Sequence, residues 1–184
     1  MLVEFQPVVT DEDKERLAQM AGEIWREYWP ALIGEAQTEY MVANFQSLTA
    51  IERDMAEHGY EYWLVRAADE LTEPELAAGA EPAFRDVGYT GGRVEAETGR
   101  FFISKIYLYA HERGKHFASR VIAFYDRLCA DRGLRAMYLT VNKHNDLGIR
   151  AYRAKGFETI DAVETDIGEG FIMDDYIMEK PAGA

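Results

Sequence analysis

Two short runs of this 184-residue chain carry residue types that can do chemistry. The first is Arg113-Gly114-Lys115-His116-Phe117-Ala118, a basic turn that opens directly into a helical pattern. A turn feeding a helix leaves several backbone N–H groups unpaired at the positive end of the helix dipole. Gly114 lets a ligand come close to the backbone, and Arg113 and Lys115 add full charges. This composition suits the binding of an anion such as a pyrophosphate; the competing reading is a solvated surface turn. The second run is Asn145, Gly148 and Tyr152, spaced i, i+3 and i+7 and so on one helix face. Gly148 costs a helix about 1 kcal/mol against alanine, so something is expected to pack close to the backbone there. Tyr152 carries a phenol that can give a proton, and core packing is the alternative use of such a ring.

The elements that must position these runs are legible from Phe101 to Phe157: strand, turn, helix, strand, helix. Phe101–Tyr109 is aromatic and β-branched, as a buried strand is. Ala118, Val121, Ile122, Tyr125, Leu128 and Cys129 form one helical stripe. Asp131-Arg132-Gly133 ends that helix, with Gly133 as the cap residue. Leu134–Val141 is a second strand, and Asn145 starts a second helix whose apolar face holds Leu147, Ala151 and Ala154.

On these residues the stretch resembles the GNAT superfamily of acetyl-CoA-dependent N-acetyltransferases. The matching positions are Ile106-Tyr107-Leu108, the turn Arg113–Ala118, and Asn145…Tyr152…Gly156-Phe157. The chain departs from the family pattern at His116, where a glycine is usual, and at Gly148, where alanine is commoner. Tyr40-Met41…Asn44-Phe45-Gln46-Ser47, with the C-terminal run through Asp174-Asp175, is similar to bacterial polyamine (spermidine/spermine) N-acetyltransferases. The resemblance implies a mixed α/β GNAT fold. Its central sheet would be mostly antiparallel and splayed between strands 4 and 5, with helices on both faces. It implies acetyl-CoA as cosubstrate, and a small amine as acceptor. An acetyl thioester is already activated, so no metal is required.

The resemblance also implies roles. The pantetheine arm would pair with the strand at Ile106, Tyr107 and Leu108. The pyrophosphate would sit on Arg113, Gly114, Lys115, His116, Phe117, Ala118 and Ser119. Asn145 would touch the cofactor arm, and Tyr152 would be the general acid, a phenol with an ordinary pKa of about 10 being protonated at neutral pH. Many family members have an acid just before the Ile-Tyr-Leu run, where this chain has Lys105, a poor base unless its pKa is lowered. His111 and Glu112 follow the strand, and Asp174 and Asp175 lie on the last one. Neighbouring strand residues face opposite ways, so at most one of that pair faces the site. A water-relayed proton is expected, with the acids Glu112, Asp174 and Asp175 binding a substrate cation; an exposed strand end is the alternative for the aspartates. Trp29, with Trp25 and Tyr28, could hold an aliphatic amine by cation–π contact, or simply pack.

Length fits one domain spanning 1–184, and the 48% hydrophobic content is that of a globular chain rather than a disordered one. Net charge is −13, unevenly spread. Residues 101–157 hold eleven basic and four acidic residues, against nine and twenty-nine elsewhere. The basic segment suits a polyanionic cofactor; the acidic remainder would attract a cationic substrate and repel nucleic acid, or serve solubility alone. No apolar run approaches a membrane span. The N-terminus lacks a signal-peptide pattern and Cys129 is the single cysteine, so a cytoplasmic location is expected. The four histidines lack metal-ligand spacing.

Elsewhere, Leu2–Val8 reads as a strand and Thr10-Asp11-Glu12-Asp13 as a helix start. Helices are expected to about Trp29, over Glu35–Gln46 and over Leu48–His58, and a strand over Glu61–Arg66. Ala67–Arg85 reads as an acidic surface loop or partly disordered stretch, open to use as a lid, a homodimer contact or neither. Gly88, Gly91 and Gly92 in the strand Asp86–Glu95 mark a bulge or a close backbone approach. Glu158–Val163 and Phe171–Glu179 are the last strands, joined by a turn at Asp166–Gly170. Three functions fit: an N-acetyltransferase for a small, polyamine-like amine; a protein N-terminal or lysine acetyltransferase; and a CoA-binding module without turnover.

Overall fold

Alternation along the strands decides which helices cover which face of the sheet. In β2 (Glu61–Ala68), Tyr62 and Leu64 point to one side. They meet Leu17, Met20, Ala21 and Ile24 of α1 (Asp11–Tyr28) and Ile51 of α4 (Leu48–His58). Trp63, Val65 and Ala67 point the other way, onto Val121, Ile122, Tyr125, Leu128 and Cys129 of α6 (Phe117–Asp131). The structure, a computed structural model, describes residues 1–183. The other elements are β1 (Leu2–Pro7), α2 (Pro30–Ile33), α3 (Glu35–Phe45), α5 (Glu73–Ala77), β3 (Arg85–Glu95), β4 (Arg100–Leu108), β5 (Ala136–Asn142), α7 (Asp146–Arg153), β6 (Glu158–Gly168) and β7 (Phe171–Pro181). Among the described residues no helix is long and apolar enough to cross a membrane.

Seven strands form one sheet in the order β1-β2-β3-β4-β5-β7-β6. Every neighbouring pair is antiparallel except β4 with β5. That parallel pair is short, running from Arg100↔Ala136 to Ile103↔Leu139. Beyond it each strand keeps its other neighbour. β4 stays on β3 as far as Gly88↔Leu108, and β5 stays on β7 as far as Asn142↔Asp175. Two well-paired sheet halves therefore part between β4 and β5. The mixed α/β fold with a splayed central sheet and helices on both faces is the one the sequence leads to.

Local signals explain most boundaries. Thr10 and Asp13 form a reciprocal capping box at the start of α1. Four details differ from the sequence reading. A short helix, α2, follows Trp29, with Pro30 at its first turn. β2 continues through Ala67 and Ala68, both fully buried against the sheet's core; small apolar residues read as loop by composition are strand by packing. The acidic stretch after it contains α5, started by a Thr72–Glu75 capping box. β6 and β7 also extend towards each other, leaving a two-residue turn at Glu169-Gly170 with positive φ at both.

The register of β3 on β4 does shift between Gly91 and Gly92, but the extra, unpaired residue is Ser104, so the bulge itself lies in β4 opposite the two glycines. A Cβ on Gly92 would overlap the backbone carbonyl of Phe102, so β4 can approach only a glycine there. Gly92→Ala is expected to cost about 1–3 kcal/mol by forcing the two strands apart. Thermal denaturation reads this as a lower Tm; an unchanged Tm would mean that β3 and β4 can separate locally at no cost.

Candidate active site

The parting of β4 from β5 exposes backbone as well as side chains. Tyr109 N–H donates to the Val87 carbonyl across β3 (3.1 Å). Antiparallel alternation then directs the Tyr107 polar groups towards β3 and those of Ile106 and Leu108 away from it. With no β5 residue paired beyond Ile103, Ile106 and Leu108 present a free strand edge to the gap. The Leu108 carbonyl is taken by Arg113, whose Nε and a terminal nitrogen both donate to it at 3.2 Å. The same guanidinium lies 4.5 Å from the centre of the Tyr28 ring.

The turn after β4 leads into α6 without a side-chain cap. Gly114 has φ 76° and an open space where a side chain would stand. His116, at the N-cap, has φ 65°. It thus adopts the left-handed conformation that a glycine would take, and keeps its imidazole exposed. Among the described residues no acceptor serves the N–H groups of Gly114, Lys115, His116, Phe117 or Ala118, while Ser119 and Arg120 donate back to the His116 carbonyl. Successive N–H groups around alternating left-handed residues form an anion-binding concavity. Phe117 is buried and anchors α6, so its contribution to this concavity is its backbone.

Glu112 does not join the other acids expected at the site. It is 3% exposed in the turn Ala110–Glu112 and accepts from Arg85 (3.1 and 3.4 Å) and from Lys115 Nζ (2.9 Å). Burial works against its charged form, yet Arg85 and Lys115 together hold its carboxyl below the usual range. Both oxygens are committed, so Glu112 serves to fix the anion turn rather than to meet a substrate cation. Arg85 escaped notice in the sequence because it lies 27 residues from its partner with no local motif.

Asn145 caps α7: its Oδ1 accepts from Gly148 N–H at 3.0 Å and from the Tyr28 hydroxyl at 3.1 Å. This explains the glycine in the helix. A Cβ on Gly148 would stand about 3 Å from the Asn145 amide, so the group packed against the backbone is the cap itself. The Tyr28–Asn145 bond joins residues 117 apart and has no sequence signal. Tyr152 is half-buried, its ring edge-on to Phe157 at 5.8 Å. Burial first, and then the Tyr28 phenol, push its pKa up to about 12. Tyr107, on the opposite face of the sheet, is itself raised by burial and then by Tyr152 and Asp175. The three groups therefore converge on the gap.

Trp29 is 7% exposed, stacks on Trp25 at 4.9 Å and stands edge-on to Tyr107 at 6.5 Å, and its indole N–H has no partner. The two aspartates split as strand geometry requires. Asp174 turns outward into an ion pair with Lys143. Asp175 turns inward and is 7% exposed, opposite Asn142. Among the described residues no group of His, Cys, Asp or Glu could hold a metal ion.

The profile of the Acetyltransferase (GNAT) family matches residues 21–157. The chain belongs to the GNAT acetyltransferases. Like the family, it is an acetyl-CoA-dependent N-acetyltransferase. No curated protein sequence matches it. Among solved structures it is similar to the PaiA N-acetyltransferase of Thermoplasma acidophilum in complex with coenzyme A. The TM-score is 0.71 at 18% identity, covering 98% of this chain and 99% of that one. It is also similar to a mutant form of the spermidine/spermine N-acetyltransferase SpeG of Vibrio cholerae, at TM-score 0.65 and 13% identity over 98% and 94% of the two chains. These likenesses are of fold. The uncapped N-terminus of α6 and the free edge of β4 are what a diphosphate and an extended amide-bearing arm require, so this GNAT chain's own residues fit acetyl-CoA.

Lys105 stands where GNAT members often have an acid, and it is not free to replace one. It is 5% exposed, and its ammonium donates to the Phe45 carbonyl (3.2 Å) at the C-terminal end of α3, over the Tyr62 ring. Burial pulls its pKa down to about 8, with Asp54 pulling the other way. Unfolding restores the ordinary value of about 10.4. Between these values the unfolded chain binds more protons, so this group's contribution to stability rises with pH. The urea-unfolding free energy of the wild type is expected to gain on that of Lys105→Met as pH is raised from 8 towards 10. A constant difference would mean that the buried ammonium is not perturbed.

Proposed function

We propose that this enzyme acetylates a primary amine on a small, cationic, polyamine-like acceptor, with Tyr152 as general acid. The supporting observation is the Tyr152 phenol itself: half-buried, raised to about 12, hydrogen-bonded to no group among the described residues and convergent with Tyr28 and Tyr107 on the gap. Bound acetyl-CoA supplies an acetyl group already activated as a thioester. The Arg113–Ser119 turn would hold its diphosphate through backbone N–H groups. Ile106 and Leu108 would pair with its arm, beside Tyr107, and Asn145 would steady that arm from the start of α7. A phenol kept protonated near pH 7 can then hand its proton to the departing sulfur.

The acceptor side favours a cation. Trp29 and Tyr107 offer aromatic surface, and Asp175 offers a buried carboxyl without a full set of partners. The protein outside residues 101–157 is strongly acidic, which raises the local concentration of polycations. The spermidine/spermine N-acetyltransferase activity of the SpeG neighbour points the same way. Asp174 is left out of this reading because Lys143 already neutralises it.

Tyr152→Phe is expected to lower kcat by about 10²-fold while acetyl-CoA affinity stays near wild type; unchanged turnover would remove the phenol from the mechanism. Saturating acetyl-CoA is expected to raise the Tm of the wild type, and no shift would count against the turn as its diphosphate site. A thiol-release screen over polyamines, monoamines, amino acids and peptides decides the acceptor. Turnover confined to peptides would replace this reading with a protein acetyltransferase, and none at all with a silent CoA-binding module.

A further inference from the structure

The acceptor arrives as an ammonium ion and must lose a proton before it can attack, and no base is found where this fold often keeps one. Lys105 is tied to the end of α3, Glu112 to Arg85 and Lys115, and Asp174 to Lys143. Of the acids expected to meet a substrate cation, Asp175 alone has no ion pair among the described residues. Asp175 lies on β7 opposite Asn142, on the last residue pair of β5 with β7, where β4 has already parted from β5. Its side chain shares the sheet face of Asn142 and Thr140, opposite to Val141, which packs under α6. Tyr107 and the aromatic wall of Trp25 and Trp29 cover that face near the gap. Asp175 is 7% exposed, and among the described residues its Oδ1 has no hydrogen-bond partner. A buried carboxylate oxygen without a donor is costly, and an ammonium group is the kind of ligand that would relieve it.

We propose that Asp175 is the general base, binding the acceptor's ammonium group and taking its first proton. The inference rests on the polyamine-like amine reading above. The groups around the carboxyl are Asp174 on its own strand, Lys143 after β5, the Thr140 hydroxyl on β5 and the Tyr107 phenol on β4. Burial first and Asp174 second raise its pKa to about 6, with Lys143 and Thr140 opposing. It is thus ionised at pH 7, ready to accept, while remaining a much stronger base than an exposed aspartate. The protons balance. The ammonium gives one to Asp175, and the freed amine nitrogen forms the C–N bond to the thioester carbonyl carbon as the C–S bond breaks. Tyr152 gives its proton to the sulfur and regains one from the attacking nitrogen. Asp175 passes the first proton to solvent.

The test compares wild type, Asp175→Asn and Asp175→Glu with spermidine as acceptor. Wild-type kcat/KM should fall below pH about 6, as Asp175 becomes protonated. In Asp175→Asn that acid limb should vanish, with the rate at pH 7 down about 10²-fold or more. Activity should then climb roughly tenfold per pH unit towards the amine's own pKa of about 10, as free amine appears without help. Asp175→Glu should recover part of the loss. A second readout needs no cofactor and no variant: carbon NMR of the Asp175 carboxyl in the wild type. Spermidine should lower its titration midpoint, and a fully acetylated spermidine should not. An Asp175→Asn enzyme with the wild-type rate and profile, or a midpoint indifferent to spermidine, overturns the proposal. If the wild type acetylates no amine, the parent reading fails on its own, and the carboxyl titration still decides whether Asp175 binds an ammonium group.

Discussion

The site depends on a competition for hydrogen bonds that β4 and β5 resolve by letting go of each other. They pair over four residues and then each keeps its outer neighbour, β3 for one and β7 for the other. Backbone groups must be paired or hydrated, so a strand edge opened inside a sheet is an invitation to a ligand that can act as a strand. The bulge opposite Gly91 and Gly92 belongs to the same arrangement. It shifts the register of β3 on β4 at Ser104, directly after Ile103, the last β4 residue paired with β5, and bulges strengthen local twist. Everything proposed for catalysis lies along that opening.

The charged residues of the anion turn are mostly engaged with protein. Lys115 is held by Glu112, which is held by Arg85; Arg113 closes over the Leu108 carbonyl and the Tyr28 ring. Their ion pairs fix the shape of the turn, and what the turn leaves open among the described residues is a row of backbone N–H groups. This division has a physical sense. Side chains in solvent are screened and mobile, whereas N–H groups at a helix terminus are oriented by the fold before any ligand arrives. The Arg113 contact also marks a place where the proposed cofactor arm and a side chain would compete for one carbonyl.

Periodicity and turn chemistry made the frame legible. The stripe of α6, the strands on either side of it, the α1 capping box and the close backbone approach at the β3 glycines all follow from residues within a few positions of one another. What escaped the sequence is long-range. Composition made Ala67 and Ala68 look like loop, because only the covering layers give two alanines a strand's burial. Glu112 looked like a free acid near the site because Arg85 is not its neighbour in the chain. The glycine at 148 signalled a close contact, but the sequence does not say that the contact is the Asn145 cap or that Tyr28 shares it. Of the adjacent aspartates, strand alternation allows at most one to face inward; burial opposite Asn142 marks it as Asp175.

The gap would also let the proposed acid and the proposed base serve one reaction without neutralising each other. Tyr152 comes from α7, which packs with α6 on one face, and Asp175 projects from β7 on the other. Tyr107 stands close enough to both for each to raise its pKa, so the two approach one point from opposite sides of the sheet. Burial raises both pKa values, but from different starting points: the phenol stays protonated at about 12 and the carboxyl is ionised above about 6. A single environment would therefore keep the proposed donor and the proposed acceptor in their working states across the intervening pH range. A sheet that remained closed between β4 and β5 would bury the two groups on separate faces, with backbone between them and no common substrate.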